Sequence, residues 1–214
     1  MTPFDAFECL LSDAERGVMG GLTGPARIQA FLDDCAYSTD DFYRSPLRVL
    51  RERSAHCFDG AIFAAAAMRR SGYPPLILDL FSNGRDDEHL LALFKRNGHW
   101  GAVAKSNFVG LRFREPVYRT LRELAMSYFE QYYNVEREKT LRGYSGPLNL
   151  KSFDRFEWMV EDGPLELIAR RTDEIRRIPL LSPSIAKDLS PVDERSYAAG
   201  LEGADPKGLF KPSH

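Results

Sequence analysis

Two residues in this chain have the types and the order that thiol chemistry needs, Cys57 and, further along, His89. Cys57 stands where a helix is expected to begin. At that position unsatisfied amide groups and the helix dipole favour an anion, and the thiolate is the nucleophilic form of cysteine. An imidazole within reach takes the thiol proton, which makes His89, at the expected start of a strand, the candidate general base. The backbone N–H of Cys57 is placed to stabilise the oxyanion formed when sulfur attacks an amide or ester carbonyl. Such chemistry needs no cofactor. It does need a group that orients the imidazole, and the geometry of the following hairpin points to Ser106 or Asn107.

The elements that must position these residues are partly visible in the pattern. Phe58, Ala61, Ile62, Ala65 and Met68 fall on one helical stripe, Ala64 to Ala67 favour a helix intrinsically, and Gly72 followed by Pro74-Pro75 stops it. Residues 76–81 read as a buried strand. Residues 89–96 and 99–106 read as two antiparallel strands joined by Asn97-Gly98, a dipeptide that tolerates the positive φ angles of a type I′ turn. A two-residue turn pairs Arg96 with His99, and counting on pairs His89 with Ser106, whereas a one-residue bulge brings Asn107 round instead. Register favours Ser106 and chemistry favours Asn107, since a side-chain amide oxygen is the more usual orienter, so both stand as candidates.

Around this centre the periodicity predicts short helices at 4–11, 28–35 and 47–50, a strand near 111–114, and a helix over 164–177. Pro116 is read as opening a long helix with Val117, Leu121, Leu124, Tyr128 and Tyr132 on one face. From Ser182 onward Pro and Gly recur too often for regular elements. The expected organisation is one domain over residues 1–181 and an irregular tail, 182–214, laid on its surface.

Composition narrows the function classes. Lys+Arg 29 against Asp+Glu 31 leaves a net charge of -2, so no basic field gathers nucleic acid or an anionic membrane surface. The three cysteines are odd in number and lack metal-type spacing, which argues against a disulfide framework and a zinc site and for a reducing compartment. His56 and His99 flank the motif without the spacing of a tetrahedral metal site. The first residues carry acids rather than the basic start of a secretory signal, and the apolar run at 61–68 is too short to span a bilayer. A cytoplasmic location is the expectation. Cys9 and Cys35 are expected on buried helix faces, which would leave Cys57 as the most reactive thiol.

The residues Arg53-Ser54-Ala55-His56-Cys57-Phe58-Asp59-Gly60-Ala61, Gly72-Tyr73-Pro74-Pro75, Asp87-Glu88-His89 and Gly98-His99-Trp100-Gly101 together resemble the transglutaminase-like superfamily. The resemblance covers residues 37–106. It implies an α+β, papain-like fold with helices, one of them bearing the cysteine, packed on an antiparallel sheet. It further implies acyl transfer or amide hydrolysis through a Cys57 thioester, with His89 as base and a peptide, amide or ester as substrate. The superfamily also includes inactive members, so the alternative is a non-catalytic, peptide-binding module. One departure stands out: the family's third residue is an Asp, and none occurs between Trp100 and Phe108.

Overall fold

The computed structural model describes residues 3–212. Helices come first: α1 (Pro3–Leu10), α2 (Asp13–Gly21) and α3 (Pro25–Asp33). Ser12 and Glu15 open α2 by reciprocal capping, each side chain accepting the other's backbone N–H at 3.3 and 2.7 Å. A two-stranded parallel pair, β1 (Ala36–Tyr37) with β2 (Ser54–Ala55), brackets α4 (Pro46–Glu52) and delivers the chain to α5 (Cys57–Arg70). Phe58 to Met68 of α5 are all buried, and Gly72, at φ 82°, supplies the left-handed residue that ends the helix.

α5 lies on one antiparallel sheet made of β3 (Leu76–Phe81), β4 (His89–Arg96), β5 (His99–Val103), β6 (Arg114–Tyr118), β7 (Gly143–Ser145), β8 (Leu148–Asn149) and β9 (Arg177–Pro179). The strand order is β6-β5-β4-β3-β7-β9, with β8 also pairing β3. Because side chains alternate along a strand, the sheet serves two cores. Leu90, Ala92 and Phe94 of β4 pack toward α5 and α3, while Leu91 and Leu93 join Leu78, Leu80, Leu124, Tyr128 and Tyr132 on the other face. The chain is thus an α+β protein, as its sequence predicts. Among the described residues no helix is long and apolar enough to cross a membrane.

Two expectations are corrected. The long helix expected from Pro116 is absent: residues 114–118 form strand β6, at the edge of the sheet, where a proline without an N–H is tolerated. The helix that follows, α6 (Leu121–Met126), starts where Thr120 accepts the Glu123 N–H at 3.1 Å. The C-terminal stretch also holds more regular structure than its prolines suggest. After α7 (Leu165–Asp173) come α8 (Pro183–Lys187) and α9 (Glu194–Gly200). Pro183 occupies the first turn of α8, where the missing N–H costs nothing, and Ser182 and Asp193 cap the two helices.

Candidate active site

The first turn of α5 is built by an unusual cap. Nδ1 of His56 accepts the N–H groups of Phe58 and Asp59 at 3.1 and 3.4 Å, and the Asp59 carboxylate accepts the His56 N–H at 3.3 Å in return. An imidazole here does what a Ser or Asp usually does. Asp59 also accepts the Arg44 N–H at 2.7 Å, which ties α5 to the segment before α4. With Gly60 N–H bonded to the His56 carbonyl, the first turn leaves one amide with no hydrogen bond among the described residues, that of Cys57.

Cys57 is half-buried at the end of β4, where the thiol donates to the Glu88 carbonyl at 3.8 Å and receives the Leu90 N–H. It borders two spaces. One is a cleft of about 430 Å³ lined by Tyr37, Tyr43, Asp79, Asp87, Glu88 and the tail segment 207–210. The other is a crevice of about 40 Å³ that Cys57 shares with His89, Ser106, Asn107, Leu111 and Tyr132.

His89 is buried, with Tyr128 and Tyr132 edge-on to its ring. Its Nε2 lies 2.7 Å from the Leu111 carbonyl. A carbonyl can only accept, so Nε2 carries the proton and Nδ1 is the basic nitrogen. No hydrogen bond joins the ring to Cys57 among the described residues, although both line the small crevice.

Neither Ser106 nor Asn107 orients His89. The hairpin register holds as counted from Arg96↔His99 to Ala92↔Val103 and stops there. Ala104 leaves the ladder because the Gln29 side-chain amide takes both its N–H, at 3.1 Å, and its carbonyl, at 3.0 Å. Lys105 then dives under α3, its ammonium donating to the carbonyls of Leu32 and Cys35 at 2.8 and 2.6 Å. Its stem fills the place that a Cβ at position 60 would need. With the strand ended, Ser106 accepts the Phe108 N–H at 3.0 Å, and Asn107 turns to the C-terminal tail. The Leu111 carbonyl takes the orienting role, for which a side-chain pattern carries no signal. The His56 cap was likewise not read from the sequence, where the one signal for it is an acid, Asp59, three residues on.

The electrostatics of the cleft are acidic. Burial and the nearby charge of Asp87 push the Cys57 thiol up to about 12, against the pull of the Leu90 N–H. Burial pushes His89 down to about 4. At neutral pH the two are therefore a thiol and a neutral imidazole rather than an ion pair. Asp79, buried on β3, hydrogen-bonds the Glu88 carboxyl, and burial together with that neighbour's charge holds it well above the usual carboxylate range. Since Glu88 is paired with Arg177 at 3.0 Å, the shared proton rests on Asp79. The other thiols differ in their surroundings: Cys35 is buried, as expected, but Cys9 is exposed, because α1 presents Cys9 and Leu10 outward and buries Phe7. Among the described residues no group of three or more His, Cys, Asp or Glu is placed to hold a metal ion.

No family model and no curated protein matches the chain. Among solved structures it aligns with Legionella pneumophila LapG at 12% identity and a TM-score of 0.41, over 73% of this chain and 93% of that one. The EGTA-treated form aligns at 12% identity, TM-score 0.41, over 79% and 95% of the two chains. The calcium-bound form gives 13%, 0.40, 78% and 95%.

Proposed function

We propose that the chain is a cysteine-dependent acyl-transfer or amide-hydrolysing enzyme that works through a Cys57 thioester. The observation that carries this reading is the shared crevice: Cys57 and His89 border the same small space, and the Leu111 carbonyl fixes the tautomer that leaves Nδ1 basic. In the step proposed, Cys57 Sγ bonds to the carbonyl carbon of an amide or ester while the thiol proton passes to His89 Nδ1. The Cys57 N–H takes the oxyanion. Collapse expels the amine or alcohol, which leaves with the proton from His89, and water or a second amine then resolves the thioester. Because both partners start neutral, the proton moves during attack instead of before it, and reactivity depends on substrate filling the cleft.

Intact-mass measurement after incubation with an activated peptide ester tests the proposal. One acyl group should add to Cys57, none to Cys57→Ala, and His89→Ala should slow the addition by about 10²-fold or more. The rival reading is a peptide-binding module without turnover, favoured by the raised thiol and by the missing hydrogen bond between the two residues. Acylation absent under conditions where peptide binds would select it.

A further inference from the structure

The chain's own tail forms part of the wall of the cleft beside Cys57. Residues 207–210 line it, and Phe210 reaches both the cleft and the crevice that holds His89. Two contacts seat this segment. The Asn107 side-chain amide donates to the Asp205 carbonyl at 2.7 Å and accepts the Asp205 N–H at 2.8 Å, reading both main-chain groups of one residue and none of its side chain. Three residues on, Gly208 lies so close to the Tyr37 ring that a Cβ there would stand 2.6 Å from Cδ1. Its φ is not positive, so the requirement at this position is for space, not for backbone freedom.

A side chain that grips both main-chain groups of a single residue is a device for holding polypeptide irrespective of sequence, here at the start of the tight turn Pro206–Gly208, and a shelf that admits only a glycine adds selectivity. We infer that the seat beside the cleft takes a polypeptide substrate turned as residues 205–208 are, clamped by Asn107 and selected for glycine against Tyr37, and that the chain's own tail holds this seat in the resting protein. The inference rests on the reading that this cleft serves Cys57. It explains why Asn107, the candidate orienter, faces away from His89. It also gives the tail a task beyond covering surface: a substrate that uses this seat must displace it.

The test uses the full chain in a Cys57→Ala background, so that binding is read without acylation. The probe is a fluorescent hexapeptide with the sequence of residues 205–210, acetylated so that its Asp keeps an amide N–H, and the readout is anisotropy. With the native tail in place the peptide should bind weakly. Gly208→Val in the chain, which dislodges the tail, should tighten binding about tenfold or more, the scale set by one to two released hydrogen bonds. Asn107→Ala added to Gly208→Val should reverse that gain, and a peptide carrying Val at the glycine position should not bind. Circular dichroism and the melting temperature verify that each variant is folded. Peptide binding equally well to the chain with its native tail and to Gly208→Val, or to neither, overturns the inference, as does full binding after loss of Asn107. Failure of the catalytic reading is a separate result, namely peptide bound but Cys57 never acylated.

Discussion

The two ends of the β4–β5 hairpin obey different rules. At the turn, Asn97 and Gly98 adopt φ of 50° and 81°, and the local chemistry of two residues sets the register for the pairs that follow. At the open end, where His89 and the Cys57 helix meet, the ladder is broken by groups remote in sequence. Gln29 claims the backbone of Ala104 across 75 residues, and Lys105 leaves the sheet to reach carbonyls at the end of α3. The turn is specified by propensity, the site by tertiary competition for hydrogen bonds. The proposed site sits at the end that local rules do not control.

Substitutions at the two ends should separate these regimes, read as unfolding free energy from urea titration. The largest effect is expected for Gly60→Val at the open end, where the new side chain would overlap the Lys105 stem: about 3 kcal/mol, at the upper end for overpacking. Gln29→Leu should follow at about 2 kcal/mol, since it strips the buried Ala104 N–H and carbonyl of their partner. If it instead leaves stability unchanged, the ladder is not being held open by Gln29 and the contrast between the ends collapses.

His56→Ala removes the α5 cap and should cost about 1 to 2 kcal/mol at pH 8. Its pH dependence is more diagnostic. Burial, with Arg44 nearby, lowers His56 from 6.5 to about 4, so the unfolded chain takes up the proton first on acidification. The cap's contribution is then complete above pH 6.5 and lost as pH falls toward 4. Asn, itself a good cap, does not titrate, so His56→Asn should hold its stability across that window better than the native chain. An identical pH profile for the two would show that His56 does not titrate on unfolding. At the turn end, Gly98→Ala should cost only about 1 kcal/mol, the penalty of placing a Cβ at positive φ. A larger loss there than at Gln29 would invert the comparison.

The same contrast explains what was legible. The Cys57 helix, strand β3, the turn and the first pairs of the hairpin each follow from residues close in sequence, and each was readable. Counting the ladder on to Ser106 failed because Ala104 has a better-placed partner in Gln29, which no local pattern reveals. Pro116 read as a helix start, since an edge strand and a first helical turn suit a proline equally well. The Leu111 carbonyl that holds His89 is main chain and has no sequence signature, and the exposure of Cys9 turned on which face of a short helix met the core. Asn107 was singled out for its chemistry, and its amide does act on another part of the molecule, the backbone of Asp205 rather than an imidazole.

Gly60 and Lys105 occupy each other's space, and this makes them a unit of inheritance as well as of packing. A lineage that enlarges position 60 must first remove the Cβ at 105, and in doing so it gives up the ammonium that closes the carbonyl end of α3. Across relatives of this chain the two positions should therefore covary, with lysine at 105 accompanied by glycine at 60, and a chain that breaks the pairing should carry a new cation or cap at the end of its third helix.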